Sequence, residues 1–86
     1  MAKVEIYTAM ACPYCTRALH LLQGKNINFE QIDVTLSSSL RETMRSRAHG
    51  HTSVPQIFID GHHIGGCDDL VALDCSGNLD KLLTAS

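Results

Sequence analysis

The dipeptide Asp60-Gly61, set between the apolar run Val54–Ile59 and the segment His62–Gly65, is the strongest constraint on how this chain folds. Residues of this kind tolerate positive φ at both positions and close a two-residue hairpin, so the flanking segments must pair antiparallel. The N-terminal half makes the opposite demand. Val4, Ile6 and Thr8 alternate with Glu5 and Tyr7 in a first strand over Lys3 to Thr8, a helix over Pro13 to Gly24 follows, and Ile27 to Val34 reads as a second strand. Such a strand–helix–strand succession calls for a right-handed parallel crossover. A single mixed sheet flanked by helices satisfies both halves.

In the first helix Cys15, Ala18, Leu19 and Leu22 recur at helical spacing and form the core stripe, Arg17, His20 and Gln23 fall mainly on the other side, and Gly24 is the expected C-cap. The apolar phase of the second strand slips between Phe29 and Ile32. Ser37-Ser38-Ser39 offers N-caps for a second helix with Leu36, Leu40 and Met44 spaced by four, ended by Gly50 and its neighbours. A third helix starts near Cys67-Asp68-Asp69 and carries Leu70, Val71 and Leu73, and Leu79, Leu82 and Leu83 support a short last one. The predicted order is β-α-β-α-β-β-α-α, without repeat, linker or low-complexity segment, so residues 1–86 are expected to form one domain with one modest core.

A net charge of −2 with no basic run gives no case for nucleic acid, and nothing approaches the ~18 apolar residues of a membrane span. Met1-Ala2-Lys3 leads straight into the first strand with no hydrophobic signal region, so a cytoplasmic protein is expected. In a reducing compartment four cysteines point to catalysis or metal binding rather than to a disulfide framework.

Cys12-Pro13-Tyr14-Cys15 concentrates that chemistry. Cys12 falls at the cap of the first helix with Pro13 at the first helical position, where its missing N–H costs nothing. The sulfur then faces unpaired N–H groups and the positive end of the helix dipole, which favour thiolate over thiol. Cys15 lies one turn further in, within reach as a disulfide partner. The competing reading, half of a zinc site, needs two more ligands, and Cys67 and Cys75 do not form a second C-x2-C pair. His49, His51, His62 and His63 suggest metal only by number, and their expected positions are scattered, so no metal is expected.

Cys12-Pro13-Tyr14-Cys15 after a strand, then Ser53-Val54-Pro55, then Gly65-Gly66-Cys67-Asp68-Asp69 resemble, in that order, the dithiol glutaredoxins. The likeness runs from about Val4 to Leu83, and Val54–Asp60 with Ile64–Leu70 are most similar to the bacterial glutaredoxin 3 group. The resemblance implies an α/β thioredoxin fold, a four-stranded mixed sheet of order 2-1-3-4 with strand 3 antiparallel to the others. It implies a glutathione-dependent thiol–disulfide oxidoreductase, a monomer with glutathione as co-substrate and glutathionylated or disulfide-containing proteins as partners, ribonucleotide reductase among the candidates. Cys12 is then the nucleophile and Cys15 the resolving thiol, with Tyr14, Ser53, Val54, Pro55, Gly66, Cys67, Asp68 and Asp69 as glutathione contacts. The Val54-Pro55 bond would be cis and would expose the Val54 backbone to the cysteine of glutathione, pairing like a short antiparallel strand. The first N–H groups of the third helix would hold a carboxylate, and Asp68 or Asp69 the neighbouring ammonium, of the γ-glutamyl group.

Two departures stand out. Many glutaredoxins carry a basic residue shortly before the first cysteine where this chain has Thr8-Ala9-Met10-Ala11, and Ser53 replaces the usual threonine. Arg41 and Arg45 share a helix face within reach of a glycine carboxylate, but read as solvated surface. Cys67 is a candidate third redox thiol, and Cys75 a small residue of the third helix. Two rival functions remain: an iron–sulfur cluster held between two subunits by the first cysteine and glutathione, against which Pro13 weighs, and a thioredoxin-like reductant recharged by a flavoprotein.

Overall fold

A computed structural model describes residues 2–84, with elements in the order β1 (Val4–Thr8), α1 (Pro13–Gly24), β2 (Glu30–Asp33), α2 (Ser38–Arg47), β3 (Gln56–Ile59), β4 (His62–Gly65), α3 (Cys67–Cys75) and α4 (Asn78–Thr84). The strands form one sheet in the order β2-β1-β3-β4. β1 pairs parallel with β2 and antiparallel with β3, and β3 pairs antiparallel with β4. The hairpin closes as its sequence demands: Asp60 and Gly61 sit at φ +52° and +81°, the left-handed pair of a type I′ turn. Asp60 also fastens the turn to the chain start, donating its N–H to the Lys3 carbonyl at 2.7 Å and accepting the Lys3 N–H on Oδ1 at 2.8 Å.

All five residues of β1 are buried, because helices cover both faces of the sheet. On one face Val4, Ile6, Ile57 and Ile59 meet Ala18 and Leu22 of α1, Cys67 and Leu70 of α3, and Leu79 and Leu83 of α4. On the other, Tyr7, Val34 and Phe58 meet Met44 and Ala48. Burying each large apolar side chain here contributes about 1.5–3 kcal/mol relative to leaving it in water.

That second face holds a charge. Glu5 points inward and takes a two-pronged grip from Arg47, with Nη2 to Oε1 at 2.8 Å and Nη1 to Oε2 at 3.2 Å, and Nη1 also donates to the Tyr7 hydroxyl at 2.9 Å. The guanidinium lies 4.2 Å from the centroid of the Phe58 ring. The hydrogen bonds from Arg47 hold the Glu5 carboxyl below its ordinary pKa, with burial partly opposing them.

Three local expectations change. The second strand begins at Glu30, because Ile27 and Phe29 turn onto the edge of the core before pairing starts. Gly24 is the last helical residue rather than the cap; Lys25 caps α1, and the left-handed residue is Asn26 at φ +56°. The apolar stripe expected along the second helix fails at its first member. Ser37 is the N-cap, its hydroxyl accepting the Leu40 N–H at 3.1 Å, so Leu36 lies outside the helix and is 96% exposed, while Met44 is fully buried.

Arg47→Ala is expected to destabilise the protein by about 2–4 kcal/mol at neutral pH, because it strands a partly buried carboxylate and strips a ring of its cation. The lowered Glu5 pKa fixes the sign of the pH effect: the pairing contributes fully above the ordinary carboxylate value of about 4.3 and is lost as pH falls through the folded-state pKa. Urea unfolding should therefore show the gap between parent and variant narrowing in acid, leaving only the packing part.

Candidate active site

The topology brings three separate segments to one end of the sheet. β3 is antiparallel to both β1 and β4, so β1 and β4 finish at the edge where β3 begins. Cys12 follows β1, Pro55 precedes β3, and Gly66 follows β4.

Between β1 and α1 the chain turns through Ala11, at φ +54°, and delivers Cys12 to the N-cap of α1. The Cys15 N–H donates to Cys12 Sγ at 3.1 Å. The two cysteines are joined as a disulfide, with Cα atoms 5.2 Å apart. Their exposures differ: Cys15 is 3% exposed and part of the core, whereas Cys12 is only half-buried. Tyr14 is 54% exposed, with the Arg17 guanidinium 5.9 Å from its ring centroid.

The Val54-Pro55 bond is cis, and the Val54 carbonyl oxygen lies 3.7 Å from Cys12 Sγ. Gln56 braces this segment. Buried in an otherwise apolar strand, its amide nitrogen donates to the Ser53 carbonyl at 3.0 Å and the Ser53 hydroxyl at 3.3 Å. A buried polar side chain needs partners, and Gln56 was the sign in the sequence that a brace of this kind exists.

Beyond Pro55 a cavity of about 260 Å³ runs between His51, Ser53 and Gln56 on one side and Gly65, Gly66, Asp68 and Asp69 on the other. The Pro55 carbonyl stands 3.5 Å from where a Gly66 Cβ would be, an ordinary contact distance, so the two segments face each other closely here. Gly65 is constrained twice, by φ +121° and by the Asp69 carboxylate, which occupies the place of its missing Cβ. Asp69 Oδ2 accepts the Gly66 N–H at 3.0 Å and so caps α3. The Cys67 side chain is buried in the core, leaving its backbone as the part it can offer the cavity, and Cys75 is exposed on α3. Arg41 does not line the cavity.

Of the four histidines expected to be scattered, three, His49, His51 and His63, come together. His49 and His63 approach to 3.2 Å between Nδ1 atoms, and the His51 ring centroid lies 6.0 Å from that of His63. Residues apart in sequence meet here because the turn after α2 runs alongside β4, which no local pattern reveals. Burial first, then the charges of His49 and His51, hold the His63 pKa below the ordinary imidazole value, with Asp69 opposing.

Residues 4–64 match the glutaredoxin family. The chain belongs to the glutaredoxins. Glutaredoxin 3 of Escherichia coli K12 is 55% identical over 83 residues, which span 96% of this chain and 99% of that protein. The dithiolic glutaredoxin 2-C-Grx1 of Trypanosoma brucei brucei superposes with a TM-score of 0.86 at 42% identity, covering 95% of this chain and 87% of that one. A buckwheat glutaredoxin–glutathione complex superposes with a TM-score of 0.86 at 27% identity, covering 96% and 77% of the two chains. The fold is the thioredoxin fold, with the sheet order the resemblance implied. Glutaredoxins are thiol oxidoreductases, and the Cys12–Cys15 disulfide is consistent with redox activity in this one. Among the described residues no helix is long and apolar enough to cross a membrane.

Gly65→Ala is expected to cost about 1–3 kcal/mol, since a side chain at this φ is strained and its methyl group displaces the Asp69 carboxylate from the α3 cap. Thermal unfolding measures the loss, and a weakened Asp69–Gly66 contact should appear as faster exchange of the Gly66 amide.

Proposed function

We propose that this glutaredoxin is a glutathione-dependent oxidoreductase that reduces glutathione mixed disulfides and protein disulfides through Cys12 and Cys15. The observation that supports it best is the setting of Cys12 Sγ: it receives a helix N–H at 3.1 Å and stands beside the Val54 carbonyl of the cis Val54-Pro55 segment. In this reading Cys12 is the nucleophile, and Tyr14, Ser53, Val54, Pro55, Gly66, Cys67, Asp68 and Asp69 hold the tripeptide. Val54 pairs with its cysteine backbone. The free N–H groups at the start of α3 receive the γ-glutamyl carboxylate, and the Asp68 carboxylate, exposed at the mouth of the cavity, receives the ammonium, since Asp69 is engaged with Gly66. The buckwheat complex with glutathione, on the same fold, supports the choice of ligand.

The steps balance as ordinary thiol–disulfide exchange. The Cys12 thiolate attacks the glutathione sulfur of a mixed disulfide, forming Cys12–S–S–glutathione and releasing the substrate thiolate. A second glutathione thiolate attacks that sulfur of glutathione, producing glutathione disulfide and restoring the Cys12 thiolate. With a protein disulfide, Cys12 attacks one sulfur and Cys15 then attacks Cys12, releasing the reduced substrate and leaving the Cys12–Cys15 disulfide present here. Two glutathione molecules reduce it.

Lowering a thiol pKa from about 8.5 by about 3.5 units raises the thiolate fraction at neutral pH roughly thirtyfold. Nucleophilicity falls meanwhile with a Brønsted slope of about 0.4–0.5, nearly cancelling that gain for attack. The larger benefit is in departure: a stabilised Cys12 thiolate is a good leaving group when its mixed disulfide is attacked.

Cys12→Ser is expected to abolish both activities in a glutathione-coupled assay. Cys15→Ser should retain reduction of a small glutathione mixed disulfide while losing most reduction of protein disulfides. Equal loss of both activities in the Cys15 variant would refute the division of labour, and faster turnover with thioredoxin reductase than with glutathione would refute the choice of reductant.

A further inference from the structure

The His49–His63 pair has no part in the chemistry above, yet its protonation can be read from its neighbours. Gln56 gives its amide nitrogen to Ser53, which leaves Oε1 facing His63 Nε2 at 2.6 Å. An amide oxygen only accepts, so the His63 proton is on Nε2 and Nδ1 presents a bare lone pair. That lone pair faces His49 Nδ1 across 3.2 Å.

This is how a metal-binding imidazole is prepared: one nitrogen is free, and the other is anchored through its N–H to a carbonyl oxygen that fixes both tautomer and ring orientation. The spacing agrees. Two imidazole nitrogens about 2.0–2.1 Å from a tetrahedral zinc ion lie roughly 3.3–3.4 Å apart, close to the 3.2 Å seen here, so the spacing is already right and a rotation of the two rings turns their lone pairs from each other toward a shared ion. The geometry points to a two-histidine site for a divalent transition cation, ligated by His49 Nδ1 and His63 Nδ1.

Among the described residues no group of three or more histidine, cysteine, aspartate and glutamate side chains is placed to hold a metal ion. The pair therefore fills two of four positions, and water fills the rest. Without metal, His49 Nδ1–H donates to His63 Nδ1. With metal, the His49 proton resides on Nε2, so the neutral pair changes tautomer without releasing a proton. His63 also lines the cavity beside Gly65 and Gly66, which places the cation at the rim of the candidate active site while leaving the two cysteines uninvolved.

The test uses the disulfide form carrying Cys75→Ser, which removes the exposed thiol as a competing ligand, with Zn2+ as the probe. Calorimetry should show one saturable equivalent, weakened at least tenfold by His49→Ala and by His63→Ala, and less than threefold by His51→Ala. The imidazole 15N resonances of both Nδ1 atoms should shift while His63 Nε2 keeps its proton. His49 is exposed but lies at φ +57°, where alanine is strained, so His49→Gly is measured beside His49→Ala and keeps that arm independent of folding. Absence of saturable binding up to millimolar Zn2+, unchanged affinity in the His49 variants, or an equal loss with His51→Ala would overturn the assignment. Glutathione turnover enters none of these readouts, so the result is independent of the proposed enzymatic function.

Discussion

The covering of β1 on both faces is the constraint from which the rest follows. A strand with helices above and below has no solvent side, so every one of its residues must find a partner inside. Val4 and Ile6 find apolar ones. Glu5 cannot, and the chain answers with Arg47, which neutralises the carboxylate, satisfies the Tyr7 hydroxyl and lies over Phe58. One side chain from α2 thus secures the second helical layer against the sheet, and the two-pronged geometry suits a guanidinium better than an ammonium.

A strand held this firmly also aims what comes after it. The end of β1 hands Cys12 to the α1 N-cap, and the end of β4 hands Gly66 to the α3 N-cap. Because the intervening strand runs the other way, both helix starts and the Ser53–Pro55 segment gather at one edge. Two helix N-termini consequently lie at the same edge, each with partial positive charge built from peptide groups rather than side chains. This gives physical meaning to Thr8-Ala9-Met10-Ala11, where no basic residue precedes Cys12: the backbone field does not depend on one.

Much of this was legible in the sequence wherever the controlling physics is local. Asp60-Gly61 specifies its turn by what its own φ angles tolerate, and Cys12-Pro13 specifies a helix start by what proline lacks. A single mixed sheet followed from combining a hairpin with a crossover, whereas the order of its strands came from the resemblance to the glutaredoxins. What escaped depends on residues far apart in the chain. Leu36 fits a four-residue spacing, but Ser37 captures the Leu40 N–H and starts the helix at Ser38, two residues beyond it. The pairing of Glu5 with Arg47, separated by 42 residues, has no pattern in either neighbourhood. The same holds for His49 and His63, which meet only once the turn after α2 is laid beside β4. Gln56 lies between these cases: its polarity in an apolar strand announces a partner without naming it.

The unequal burial of the two sulfurs gives the disulfide a direction. Cys15 is enclosed by the core, whereas Cys12 is half-buried and keeps part of its surface in solvent. An approaching thiolate therefore meets a bond with one accessible end, and displacement along the sulfur–sulfur axis expels the inner sulfur toward the protein interior. Reduction from outside becomes regioselective without any group dedicated to selecting the atom. The fold decides which half of a symmetrical chemical linkage the surroundings can touch.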